Sequence, residues 1–357
     1  MDHEGRLAAV VARLETARID ALLVTNLTNV RYLTGFSGTN GQVLVHPQGA
    51  TFFSDPRYEA RAAQLVQGAT VAIYPARLTD LLADHLSAAG VARFGVEGSM
   101  SLAERDQLSE VLPVMEIVTS KGLVEDLRRV KDADELALLE VAASLADEAF
   151  AWALDNIAPG VSERDISLGI EMHMRQRGAE GVSFPPIVGS GPLSAHIHHT
   201  ASDRALEKGD LVLLDLGCRW EGYCSDLTRT VVIGAARDED AALYELVLEA
   251  QAAGIAAVAQ GAHGAEVDAR ARAIVTGAGH GERFGHGLGY GVGLDIHEAP
   301  RLHRISEDTL RTNDVVTVEP GVYVPGHGGI RIEDCVVVGD MGAKILGHAP
   351  KERLIEL

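Results

Sequence analysis

The sequence has no apolar stretch approaching the roughly 18 residues a membrane span requires. Its first residues, MDHEGRLAAVVARLE, carry acidic groups where a secretory signal would be basic. A membrane protein is therefore not expected, and a cytoplasmic location is. Cysteine is scarce: the chain holds 3, Cys218, Cys224 and Cys335, which form no CxxC pair and cannot build a disulfide framework as an odd set. Small buried packing residues are expected at those positions rather than metal ligands. Basic runs are missing too, and with a net charge of −20 nothing offsets the repulsion of a nucleic acid or an anionic membrane.

What is present is the composition of an ordinary soluble globular protein, at 46% hydrophobic and 23% charged residues, in a chain of 357 residues that can bury two cores. Residues 1–123 alternate helix and strand. Glu4–Ala17 sets Leu7, Val10, Val11 and Leu14 on one helical face, and Ala21–Thr25 runs as a buried strand. Gln42–Val45 and Thr51–Phe53 form a hairpin through His46-Pro47-Gln48-Gly49. Pro56–Gln67, Leu78–Ala89 and Leu102–Leu112 read as helices, the last entered through a Ser101/Glu104 capping box. With strands at Val71–Ile73, Phe94–Val96 and Glu116–Val118, this is an α/β domain. Val124–Lys131, VEDLRRVK, reads as a charged connector whose arginines are solvated.

Residues 124–357 spell a helix-helix-hairpin unit twice. One helix opens at Asp132 and Glu135 and ends before Pro159-Gly160, and a second runs from Ser162 to Gly178. Helices Glu239–Gln260 and Glu266–Ala278 repeat the order, and a hairpin follows each pair. In the first, Leu211–Thr230, the strand Val212–Leu214 turns at Glu221–Gly222 and returns through Leu227–Ile233. A turn centred between Trp220 and Glu221 makes Asp215 face Asp226, and facing Cβ atoms lie roughly 5 Å apart. In the second, Asp314–Val338, a centre at Gly326 within Pro325-Gly326-His327-Gly328 makes Glu319 face Glu333. Carboxylates so close repel unless a cation lies between them. Four of them converging suit a hard divalent cation, Mn²⁺ or Mg²⁺, with Zn²⁺, Co²⁺ or Fe²⁺ admitted once nitrogen joins.

Among 14 histidines most must be structural, so only clusters carry weight. GSGPLSAHIHHTASD, at Gly189–Asp203, holds His196, His198 and His199, and FGHGLGYGVGLDIHEAP, at Phe284–Pro300, holds His286 and His297. These stretches, with DLG, SDLTRT, HEAP, VEPGVY and RIED, resemble the pita-bread metallopeptidases, the family of prolidase, aminopeptidase P and methionine aminopeptidase. The likeness runs nearly end to end. NVRYLTGFSGTNG and SDPRY look like the creatinase-type N-terminal domain of the Xaa-Pro branch, which methionine aminopeptidases lack. The implied architecture is a creatinase-like α/β domain (1–123) followed by a pseudo-symmetric pita-bread α+β catalytic domain (124–357).

The resemblance implies two divalent metal ions, manganese favoured and cobalt or zinc admitted, held by Asp215, Asp226, Glu319 and Glu333. It implies as well that Glu319 acts as general base. His198 and His297 match histidines that hold the substrate carbonyl, the proline carboxylate or the tetrahedral intermediate. His286 matches an outer histidine near the substrate and Arg331 a partner of the carboxylates, and on the same resemblance Tyr223 would stand beside the site. Arg31 and Arg57 lie in family-like motifs, and an arginine such as Arg57 could meet a free proline carboxylate. The implied partner is a small peptide, and the implied assembly a homodimer.

One position departs from the pattern. The family reads GH seven residues before the HE histidine, a fifth metal ligand, where this chain has Tyr290. Three outcomes are open: Tyr290 ligates as a phenolate, His286 moves in, or one metal is held weakly or lost. The activity expected is hydrolysis of Xaa-Pro dipeptides. The alternatives are aminopeptidase P action on longer Xaa-Pro-Xaa peptides, a metal-free creatinase-like hydrolase, and a binding protein that has kept the fold and lost the chemistry.

Overall fold

Helix starts follow the caps written in the sequence: in the computed structural model, which describes residues 1–357, Ser101 with Glu104 and Asp132 with Glu135 each close a capping box. The chain folds as two units, Met1–Arg128 and Arg129–Leu357. In the first, α1 (His3–Ala17), β1 (Ala21–Val24), α2 (Leu27–Thr34), β2 (Gln42–His46), β3 (Gly49–Ser54), α3 (Glu59–Leu65), β4 (Thr70–Ile73), α4 (Thr79–Ala88), β5 (Arg93–Glu97), α5 (Leu102–Val111) and β6 (Glu116–Ser120) follow in order. Their sheet runs β4-β3-β2-β1-β5-β6, with β2 antiparallel to both neighbours and the other pairs parallel. The short helix α2, capped by Asn26 and stopped by Gly35 at φ +80°, lies where the sequence pattern showed only a motif. The helix expected at Pro56–Gln67 is a 3₁₀ turn, Pro56–Tyr58, leading into α3.

The connector is corrected by the structure. It contains a helix, α6 (Glu125–Arg129), and the unit boundary falls within that helix rather than after residue 123. Its cations are buried, not solvated: Arg129 bonds Asp314 through Nε and Nη2 at 3.1 and 2.8 Å, Arg128 bonds Asn29 at 2.8 Å, and Lys131 Nζ lies 2.5 Å from Glu298 Oε1. A charge run reads as solvated when its partners are remote in sequence, and Asp314 is 185 positions away from Arg129.

The second unit continues with α7 (Ala133–Asn156), α8 (Glu163–Gln176), β7 (Gly181–Val182), β8 (Ile187–Ser190), β9 (Leu211–Leu216), β10 (Cys218–Trp220), β11 (Tyr223–Cys224) and β12 (Leu227–Val232). Its second half holds α9 (Asp238–Ala257), α10 (Gly264–Gly277), β13 (Gly289–Gly291), β14 (Glu298–Leu302), β15 (Val315–Val318), β16 (Gly321–Val324), β17 (Gly328–Arg331), β18 (Glu333–Gly339), β19 (Gly342–Ile345) and β20 (Ile355–Glu356). The expected repeat is present. Each helix pair packs its own core, Phe150 and Ile166 with Leu214 in one half, Tyr244 and Val267 with Val316 in the other. The large sheet runs β14-β13-β15-β18-β12-β9-β8, with β19 on β18 and β20 on β12. The two hairpins therefore meet through β12 and β18, where Thr228 faces Glu333.

The register of the second hairpin is the expected one: Val318 pairs with Asp334 and Gly321 with Arg331, which sets Glu319 across from Glu333. The first is displaced. Asp215 faces Thr228, not Asp226, because the turn is centred between Glu221 and Gly222, where Trp220 pairs with Tyr223. Both turn residues have positive φ, +44° and +87°, as a two-residue primed turn requires. Moving the turn by one residue moves the register by two, and an even shift keeps side chains on the same face. Asp226 thus remains on the face of Asp215 in spite of the slip.

Candidate metal centre

Asp215 on β9, Asp226 just before β12 and Glu333 at the start of β18 are all buried, and each offers an oxygen to a group whose ligand atoms lie within 4.8 Å of one another. Hydrophobic strands carry them inward because the residues on either side, Leu214, Leu216, Leu227 and Ile332, are core. Asp215 Oδ1, Asp226 Oδ1 and Glu333 Oε1 are buried without a hydrogen-bond partner. Buried polar oxygens are nearly always satisfied, so three unsatisfied ones aimed at one place fit a bound cation. Glu319, half-buried at the end of β15, stands outside this three-residue group, with its Oε2 4.0 Å from His286 Nδ1.

The electrostatics agree with the geometry. Burial, then Glu333, Asp215 and Glu319, push the Asp226 carboxyl well above its ordinary value. Glu319 is likewise driven well up by burial and by Glu333, Glu333 is pushed up to about 8 by burial and Asp215, and Asp215 is raised by burial against the pull of Arg331. Like charges in a dry site resist ionising together, and a divalent cation among them removes that resistance. Four carboxylates, three of them with a buried unsatisfied oxygen, fit a hard divalent cation.

Around them runs a chain of donors. Arg331, buried, gives Nη2 to Asp215 Oδ2 at 2.5 Å, Nε to Thr228 Oγ1 at 3.1 Å and Nη1 to the Tyr323 oxygen at 2.8 Å. Thr228 donates onward to Glu333 Oε2 at 2.6 Å. With its proton free of Arg331, the Tyr323 hydroxyl donates to His286 Nε2 at 2.8 Å, and His286 Nδ1 donates to the Gly287 carbonyl at 2.8 Å. That order requires a neutral imidazole, and burial with Arg331 nearby holds the His286 pKa down at about 3. Burial also pushes the Tyr323 phenol up to about 12.

His198 and His297, both exposed, are near enough that His198 helps, after burial, to lower the His297 pKa. His198 also acts on the charge of Asp215. The Tyr290 hydroxyl donates to Asp226 Oδ2 at 2.7 Å, and burial followed by the surrounding carboxylates drives its pKa far up in the metal-free centre. Two expected site residues have partners of their own. Tyr223 donates to Glu135 Oε1 in the first turn of α7 at 2.9 Å. Arg57, in the first unit, is exposed and grips Asp55 through Nε and Nη2 at 2.9 and 2.8 Å. The cysteines are free and buried, as expected.

Sequence reasoning missed Thr228, Tyr323 and Glu163. Thr228 and Tyr323 lie inside the quoted SDLTRT and VEPGVY motifs, so their signal was present but carried no charge to mark it. Glu163, read only as part of a helix start, is fully buried and accepts from the backbone N–H of Ser190 and Ser202 at 2.8 and 3.0 Å and from His199 Nε2 at 2.8 Å. It clasps both ends of the loop that presents His198.

Residues 137–340 match the family model described as Metallopeptidase family M24, and residues 6–130 match that of the Creatinase/Prolidase N-terminal domain. A Xaa-Pro dipeptidase of Pyrococcus horikoshii is 34% identical over 97% of this chain and 98% of its own. Among solved structures, a Xaa-Pro dipeptidase from Bacillus anthracis has a TM-score of 0.97 at 39% identity, covering 99% of this chain and 100% of that one. An X-Pro aminopeptidase from Thermotoga maritima has a TM-score of 0.91 at 33% identity, covering 97% of this chain and 100% of that one.

Proposed function

The chain belongs to metallopeptidase family M24, and we propose that it is a Xaa-Pro dipeptidase working with two divalent cations, manganese the favoured ion. The observation that carries this reading is the set of three buried, unpartnered carboxylate oxygens on Asp215, Asp226 and Glu333. Bound there, divalent cations would lower the pKa of a shared water towards neutrality and polarise the scissile carbonyl. Asp215, Asp226 and Glu333 would hold the metal. Glu319, which stands apart from the three-carboxylate group with its Oε2 4.0 Å from His286 Nδ1, takes the proton of the attacking water and returns it to the proline nitrogen. His198 and His297 hold the substrate oxygens, and Arg331 with Tyr323 fixes His286 as a neutral group beside Glu319.

A prolyl amide has no N–H and is sterically hindered, which shields it from general peptidases and gives a dedicated hydrolase its purpose. The proposal extends to a cytoplasmic homodimer. No helix is long and apolar enough to cross a membrane, in keeping with that location. Proline release from a Xaa-Pro dipeptide by chelated enzyme, with and without Mn²⁺, tests the reading. Release restored by Mn²⁺, and faster on Xaa-Pro than on Xaa-Pro-Xaa, is the expected result. Preference for the longer peptide would make it an aminopeptidase, and no release with any divalent ion would make it a binding protein.

A further inference from the structure

Three of the four carboxylates share one pattern. Asp215 accepts on Oδ2 from Arg331 at 2.5 Å, Glu333 on Oε2 from Thr228 at 2.6 Å, and Asp226 on Oδ2 from Tyr290 at 2.7 Å. In every case the second oxygen is buried, unpartnered and directed to the common group. Guanidinium, alcohol and phenol thus do the same work: each occupies one oxygen and turns the other inward. Tyr290 stands to Asp226 as Thr228 stands to Glu333.

The phenol is held in that role. Its ring meets His297 edge-on, with centroids 4.3 Å and planes 81° apart, and its backbone N–H donates to Thr317 Oγ1 at 3.2 Å. Its strand neighbours pack against backbone so closely that a Cβ on Gly289 would lie 1.9 Å from the Thr317 carbonyl oxygen, and one on Gly291 2.2 Å from that of Ala299. The strand is therefore fixed from both sides. Nor does nitrogen reach the group: it contains no imidazole, and both ring nitrogens of His286 are engaged, by Tyr323 and by the Gly287 carbonyl.

We propose that Tyr290 is a positioning residue and not a metal ligand, so that this chain holds one divalent cation tightly through single carboxylate oxygens and a second much more weakly. This rests on the metallopeptidase reading for the nature of the centre and adds the inequality of its two cations. A hydrogen-bond partner of a ligand typically carries about 10–100-fold of metal affinity. An oxygen-only set also lacks the imidazole that favours zinc, so it distinguishes Zn²⁺ from Mn²⁺ less than a mixed set does.

The test is Mn²⁺ and Zn²⁺ binding to chelated enzyme, by electron paramagnetic resonance and calorimetry, with an ultraviolet difference spectrum for tyrosinate. Wild-type enzyme should bind one Mn²⁺ tightly and a second weakly, with no tyrosinate band. Tyr290→Phe should weaken the tight ion by about 10–100-fold, and Tyr290→His should strengthen the weak ion and raise the Zn²⁺ to Mn²⁺ affinity ratio. A tyrosinate band on metal addition, two equal Mn²⁺ affinities in the wild type, or unchanged binding in a folded Tyr290→Phe variant would each overturn the proposal. The spectrum needs no variant and decides the matter even if Tyr290→Phe does not fold. Should the binding pattern hold while no Xaa-Pro substrate is cleaved, the dipeptidase reading fails and the Tyr290 assignment stands.

Discussion

In the first half of the second unit, α7 and α8 lead to the hairpin of β9 and β12, and in the second half α9 and α10 lead to that of β15 and β18. Each hairpin brings two carboxylates, and there the equivalence stops. The first half runs past its carboxylates into the short β10–β11 ladder and turns at Glu221–Gly222, while the second runs into the β16–β17 ladder, and only that one carries donors to the centre, Tyr323 and Arg331. The donors are also exchanged between halves. Asp215 and Asp226 are capped by Arg331 and Tyr290 from the second half, and Glu333 by Thr228 from the first. A repeated scaffold supplies ligands twice, but their orientation depends on unlike residues reaching across the β12–β18 seam. Neither half could form the centre alone.

The largest effect is expected where the fourth carboxylate stands apart from the other three. Glu319→Gln should lower kcat on Xaa-Pro dipeptides by about 10²–10⁴-fold, the span of a general base, while the tight Mn²⁺ still binds. Wild-type turnover would remove Glu319 from the chemistry. Arg331→Met strikes the exchange between halves directly, since it removes a buried cation and leaves Asp215 and Tyr323 without it. Urea unfolding of the metal-free protein should show a loss of about 3–5 kcal/mol, and Arg331→Lys, which lacks the planar fork, should not restore Mn²⁺ affinity. If the first half's cap matters equally, Thr228→Val should weaken Mn²⁺ by about 10-fold, with little change in the melting temperature. An unchanged affinity would make the exchange one-sided.

A further expectation concerns pH dependence. Glu333 has its folded pKa raised from 4.5 to about 8, so between those values the unfolded chain ionises while the folded one holds its proton. The folded state then binds more protons, and stability falls as pH rises through that window. Metal-free protein should melt progressively lower from pH 4.5 to 8. Mn²⁺ should flatten the profile. A metal-free profile that rises through this range would show that the carboxylates are not crowded as the geometry has them.

Much of this was legible in the sequence. The four carboxylates stood out because charged residues inside apolar strand patterns are rare, and the second hairpin's register followed from its turn. The first register was misjudged by one turn residue, since Trp220, Glu221 and Gly222 do not mark their centre as plainly as Pro325-Gly326-His327-Gly328 does. Arg129 and Lys131 were misread for a different reason: a local run of charge says nothing about Asp314 and Glu298, far along the chain, which bury it.

By itself the sequence determined the strand faces, the repeat and the residue types of the centre, because periodicity and turn chemistry are local and an even register slip leaves faces unchanged. Only the tertiary structure decided which oxygen of each carboxylate is capped and which is left open, and that Tyr290 donates to Asp226. Those outcomes depend on hydrogen bonds between strands from opposite halves, and no local pattern encodes the position of a donor 64 residues away.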